Sequence, residues 1–180
     1  IMRANDFGNK LAAGGAQSID MRMKQHLEGI EKTGVGVYYG AALTEGATCR
    51  GRDVVIVGAA NSAGQGAMFF SRYARKVTMV VRGTDLSAVM SRYLVDRIAE
   101  TPNVEVLLNT VVAGARGEGR LEAVTVRNTV SGEEREITAT GMFIFIGQMP
   151  RTELCGKLVM RDEQGFVLTG RDVMVDGRRP

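Results

Sequence analysis

A continuous apolar run, Val54 to Val57, and a largely apolar one, Val77 to Val81, frame a stretch in which small and apolar residues recur at helical spacing. Runs of that kind suit strands buried on both faces of a parallel sheet. Between them, Gly, Ala, Asn and Ser make a tight turn, and Ser62 to Tyr73 places Ala63, Ala67 and Phe70 on one helical face. The pattern predicts a strand, turn, helix and second strand within about the 30 residues of a βαβ unit.

The rhythm then repeats. Residues 87 to 100 predict a second amphipathic helix with Val89, Tyr93, Leu94 and Ile98 near one stripe, and Thr84 with Asp85 reads as its cap. Pro102 and Asn103 stop it, and Val104 to Leu108 predicts a third strand. Next come alternating runs at Thr110 to Ala113, Leu121 to Asn128 and Glu134 to Thr138, joined by Gly-bearing turns, which predict a small antiparallel meander with one solvated face. Met142 to Ile146 is apolar throughout and belongs back in the parallel sheet, ending at Gly147. A short strand is expected at Phe166 to Thr169. Upstream, Val35 to Tyr39 reads as a strand or extended connector. Residues 17 to 32 look helical after a Ser18 cap, within a polar stretch lacking a core of its own. The expected fold class is α/β: a Rossmann-like βαβ parallel sheet with a small antiparallel meander.

Composition narrows the function classes. At 180 residues, 44% hydrophobic and 24% charged, the chain has the balance of an ordinary globular domain. No apolar run approaches the roughly 18 residues of a membrane span. Nothing at the start marks the chain for export, so a cytoplasmic location is the expectation. The net charge of +3 is scattered, too dilute for a nucleic-acid stripe. Cys49, Cys155 and the single His26 do not form a metal-ligand constellation. Both thiols read as small buried or half-buried apolar residues. Oligomeric state is not legible.

Candidate chemistry sits in the turn. A strand ending in Gly58 and passing directly into a helix aims backbone N–H groups and the positive end of the helix dipole at one point, a place for an anion. The dinucleotide fingerprint asks for Gly, Gly, then Gly or Ala; here the three positions read Gly58, Ala60 and Ala63. The second carries a methyl group where pyrophosphate passes closest. At the end of the second strand an acid would select NAD, and a basic residue accommodates the 2′-phosphate of NADP. Arg82 stands there, which favours NADP. The competing reading, Arg82 as a solvated loop charge with NAD tolerated, stays open.

Taken in order, GVYYGAAL, GRDVVIVGAANSAGQGAMFF, VTMVVRG, MSRYLVDRI, NVEVLL and FIFIGQMPRT resemble the thioredoxin-reductase-like flavoproteins of the pyridine-nucleotide disulfide reductase group, over roughly residues 34 to 170. The resemblance implies that Gly58, Ala59, Ala60, Asn61, Ser62 and Ala63 line the pyrophosphate of NADP(H), that Arg82 meets the 2′-phosphate, and that Arg92 is a second contact. It also implies that Ile146, Gly147 and Gln148 form a second glycine motif beside the nicotinamide. Family members acting on thioredoxin carry a CxxC dithiol shortly before the first of these strands; Gly40-Ala41-Ala42-Leu43 stands at that place here, so dithiol exchange is not carried over. In the family the nicotinamide domain is inserted into an FAD domain. Residues 1–33 and 171–180 are therefore expected to be stubs of a flavin domain, flanking a nicotinamide domain at 34–170.

The leading expectation is an NADPH-binding domain that positions nicotinamide for hydride transfer to FAD held outside this chain, inactive alone, with the parent flavin domain as its partner. No residue then needs to act as an acid or base, and no catalytic residue is assigned. A non-catalytic nucleotide-binding or interaction module with NADP binding weakened by Ala60 is the alternative. A methyltransferase-type Rossmann domain would want an acid where Arg82 stands.

Overall fold

The computed structural model describes residues 35–40, 43–147, 150, 152–155, 158–163 and 165–173. They fall into two units, one ending at Ile146 and the other beginning at Gly147.

In the first unit, five strands form a parallel sheet: β1 (Val37–Tyr39), β2 (Asp53–Val57), β3 (Lys76–Val80), β4 (Val104–Leu107) and, last in the chain, β8 (Gly141–Ile144). Their spatial order is β1-β8-β2-β3-β4. β2 is central, with Val57 paired to Val80 of β3 on one side and to Ile144 of β8 on the other. A short helix α1 (Leu43–Thr48) precedes β2; α2 (Asn61–Phe70) crosses from β2 to β3, and α3 (Arg92–Ala99) precedes β4. Successive strands β2, β3 and β4 step one way while β8 lies on the opposite flank of β2. The order therefore reverses between β2 and β8, where open α/β sheets form a binding crevice beyond the carboxyl ends of their strands.

The period-2 alternation of the strands feeds two cores. Val54, Ile56, Val77, Met79 and Phe143 face the helices, packing against Ala63, Ala67 and Phe70 of α2 and Leu94 and Ile98 of α3. Phe70 is fully buried, its ring centroid 4.0 Å from that of Phe143. Burying such a ring contributes about 2 to 3 kcal/mol. On the opposite face Val55, Val57, Val80, Met142 and Ile144 meet Val112, Val124 and Val126. Those last three belong to an antiparallel sheet of β5 (Thr110–Arg116), β6 (Ala123–Asn128) and β7 (Glu134–Thr138). Glu105 of β4 bridges Lys76 of β3 and Arg135 of β7 at 2.9 and 3.1 Å, so the meander is also tied on by charge. The Lys76 hydrogen bond, with Arg135 adding to it, holds the Glu105 carboxyl below its ordinary pKa against the opposing effect of burial.

The structure is the Rossmann-like α/β fold with an antiparallel meander that the pattern predicts, with local corrections. The crossover helix ends at Phe70, not Tyr73. The second helix begins at Arg92, and of its expected stripe only Leu94 and Ile98 are buried; Val89 and Tyr93 are 55% and 65% exposed. Val89 lies outside the helix, and the one-residue step from Leu94 back to Tyr93 turns that ring about 100° away from the core. Asp85 does not cap this helix: its Oδ1 accepts the Ser87 N–H two residues on, a local turn, and the N-cap is Ser91. The last parallel strand stops at Ile144 rather than Ile146. Cys49 is buried in the helix-side core and Cys155 is half-buried. The expected helix within residues 17 to 32 lies outside the described residues.

In the second unit the expected strand at Phe166 to Thr169 reduces to a single antiparallel bridge between Arg161 and Val167. The loop is closed instead by Thr152 Oγ1 donating to Gly165 O at 2.7 Å and by the Phe166 N–H donating to Asp162 Oδ1 at 2.8 Å. One-turn 3₁₀ segments occupy Glu153–Cys155 and Gly170–Val173.

Candidate functional site: the turn after the central strand

The turn from β2 into α2 sits at the point where the strand order reverses. Gly58 has φ of +141°, and a Cβ there would lie 2.4 Å from the carbonyl oxygen of Phe145, just beyond β8. Only glycine meets both demands. The Gly58 N–H donates to Val80 O at 3.1 Å, and the Phe145 N–H to Val57 O at 2.7 Å, so the turn is gripped by the extensions of both neighbouring strands.

Ala60 is the N-cap of α2, extended at φ −81° and ψ 177°, and offers no side-chain cap. That conformation suits any L-residue, so the alanine causes no backbone strain; its exposed methyl stands at the mouth of the turn. The first helical hydrogen bond runs from Gly64 N–H to Ala60 O. It leaves the N–H groups of Asn61, Ser62 and Ala63 without a partner among the described residues, and the first turn holds no acid to neutralise the dipole. Ala59 is half-buried, Asn61 and Ser62 are exposed, and Ala63 is buried against the sheet. The arrangement is an uncapped helix N-terminus open to solvent, which suits an anionic group.

Arg82 follows β3 by two residues, is exposed, and makes no ion pair among the described residues. Arg92 opens α3 and pairs with Asp96 at 2.8 Å on the exposed helix surface. Ile146, half-buried, packs against the meander-side core. Gly147 begins the second unit with φ +97°, and Gln148 lies outside the described residues. Three participants escaped sequence reading. Phe145 supplies the carbonyl that fixes Gly58, which parallel pairing of Met142 to Ile146 beside β2 could have shown. Ser91 donates its N–H to Asn61 Oδ1 at 2.8 Å, and Met90 packs where a side chain at Gly64 would be; a serine before an amphipathic run was the available signal for that helix start.

This architecture is matched among known proteins. The family model described as pyridine nucleotide-disulphide oxidoreductase aligns with residues 6–176. The chain belongs to that family. Within it, the chain is a thioredoxin-reductase-like domain. It is 40% identical over 126 residues to a thioredoxin reductase of Streptomyces clavuligerus, covering 67% of this chain and 38% of the relative. It is 38% identical over 123 residues to one of Yarrowia lipolytica, covering 67% and 37%. The crystal structure of thioredoxin reductase from Streptococcus pyogenes superposes with a TM-score of 0.68 at 29% identity, covering 76% of this chain and 44% of that one. This family member thus spans less than half the length of those relatives. Among its described residues no helix is long and apolar enough to cross a membrane, and no group of three or more His, Cys, Asp or Glu could hold a metal ion.

Proposed function

We propose that this domain holds NADPH and positions its nicotinamide for hydride transfer to FAD held outside this chain. The observation that carries the reading is the pairing of an open α2 N-terminus, with no side-chain cap, with an exposed Arg82 beyond the adjacent strand that makes no ion pair among the described residues. The N–H groups of Asn61, Ser62 and Ala63 receive the pyrophosphate; Gly58 keeps the backbone close to β8 so that the three donors converge. Arg82 and Arg92 meet the 2′-phosphate, and Ile146 lies toward the nicotinamide end. When bound, the cofactor supplies the hydride, and the protein supplies orientation and electrostatics. The thioredoxin reductases among its relatives support the reading; on it, FAD and a flavin domain are the partners of the complete protein. Its own sequence places Gly40 to Leu43 where the dithiol of such enzymes is expected, so the electron acceptor need not be thioredoxin.

Calorimetric titration of the chain with NADPH and NADH tests this. Submillimolar NADPH binding that Arg82→Glu weakens more than NADH binding is the expected result. Binding of neither nucleotide overturns the proposal. Ala60 favours a second reading, a module whose nucleotide affinity has decayed; Ala60→Gly raising NADPH affinity strongly would support it.

A further inference from the structure

One side chain of the cradle is already committed elsewhere. Asn61 Oδ1 accepts the backbone N–H of Ser91, 30 residues along the chain. Ser91 is the N-cap of α3, its own carbonyl accepts from Leu94 and Val95, and Arg92 is the first helical residue after it. The two helices also meet one turn further on: a Cβ at Gly64 would lie 2.8 Å from Met90 Sδ and Cε and 3.4 Å from Leu94 Cδ1. Asn61 and Gly64 thus hold the amino-terminal ends of α2 and α3 together. The Arg92 side chain is 84% exposed and held by Asp96 through an i,i+4 pair that solvent screens. Its backbone is fixed by the helix start, and an exposed i,i+4 pair is weak enough for the side chain to exchange Asp96 for a phosphate.

We infer that Asn61 is a positioning residue for Arg92. By anchoring Ser91 it sets where α3 begins, and so brings the Arg92 guanidinium within reach of the 2′-phosphate of a nucleotide lying across the α2 N-terminus. The inference rests on the dinucleotide reading above. It differs from a direct phosphate contact in what it affects: the 2′-phosphate preference depends on Asn61, whereas the pyrophosphate that NADPH and NADH share is held by backbone N–H groups that stay in place.

The test is calorimetric titration of the 180-residue chain with NADPH and NADH for the parent, Asn61→Ala, Arg92→Ala, the double variant and Asn61→Asp. Asn61→Ala and Arg92→Ala are each expected to lower the NADPH-over-NADH preference about tenfold, the contribution of one charge-assisted contact to phosphate. The double variant should lose no more than either alone. Asn61→Asp keeps an acceptor for the Ser91 N–H, so its preference should stay near the parent's while its added charge weakens both nucleotides. Equal weakening of both nucleotides by Asn61→Ala, an unchanged preference, or additive losses in the double variant each overturn the inference. Should Asn61→Ala fail to fold, Arg92→Ala must still lower the preference and Asn61→Asp must still keep it; otherwise the inference falls. A parent chain that binds neither nucleotide overturns the dinucleotide reading and this inference together, whereas a parent that binds both with a preference indifferent to Asn61 overturns the inference alone.

Discussion

A methyl group at residue 58 would stand 2.4 Å from the carbonyl oxygen of Phe145, a backbone atom with no side chain's freedom to move aside. Together with the φ of +141°, this makes Gly58→Ala costly by about 3 kcal/mol, which urea denaturation of the variant measures directly. Gly64 offers the contrast. The atoms facing it are nearest at the flexible end of Met90, and alanine gains about 1 kcal/mol of helix propensity over glycine. Gly64→Ala is therefore expected within about 1 kcal/mol of the parent, in either direction.

Phe70 is the keystone of the helix-side core, with its ring against Phe143 and Phe69. Truncation to alanine leaves a cavity beneath α2 and is expected to cost about 3 to 5 kcal/mol. Loss of a cooperative thermal transition, or a large fall in Tm, is the readout. A change below about 1 kcal/mol would mean the sheet collapses onto α2 far more readily than its packing allows.

Asp96 pairs with Arg92 on the exposed surface of α3. An exposed i,i+4 pair contributes about 0.3 to 0.5 kcal/mol, so Asp96→Asn is expected to raise NADPH affinity about twofold. NADH affinity should not change. Comparison of the two titrations at low and high salt checks the origin, since the gain should shrink as salt rises.

Asp53 accepts two hydrogen bonds from Arg75, at 2.8 and 2.6 Å, at the amino end of β2. Arg75's hydrogen bond first, and its charge second to the opposing effect of burial, hold the Asp53 carboxyl below its ordinary range. A depressed folded-state pKa means the unfolded chain takes up the proton first. Its stabilisation is thus complete above the ordinary aspartate value near 4 and is lost as pH falls through the lower folded-state value. With Arg75 well exposed, Asp53→Asn is expected to cost about 1 kcal/mol at neutral pH. The gap between variant and parent should close in strong acid; denaturation midpoints across that range decide it.

The crossover was legible because period and burial agree: Val54 to Val57 and Val77 to Val81 are buried on both faces since helices cover one and the meander the other. The meander was legible from its turns. What failed was local and tertiary in origin. Tyr93 fits an apolar stripe by composition yet points outward, where the Arg97 guanidinium lies 5.6 Å from its ring centroid. Asp85 carries capping chemistry but spends it on a turn at Ser87. At the site, Gly58 and the bare first turn of α2 could be read from spacing alone. The Asn61 to Ser91 bond could not, because it joins residues whose proximity follows only from how two helices pack.

The register of the central strands has a temporal consequence. Val54 pairs with Val77 and also with Gly141, partners 23 and 87 residues downstream. Loop closure costs more for the second, and the whole meander lies in between. The β2-α2-β3 crossover is therefore expected to assemble early, with the β8 flank joining last. Phe145, and with it the wall against Gly58, belongs to that late event. A nucleotide would then act on folding at its final step, slowing departure from the native state far more than it speeds arrival.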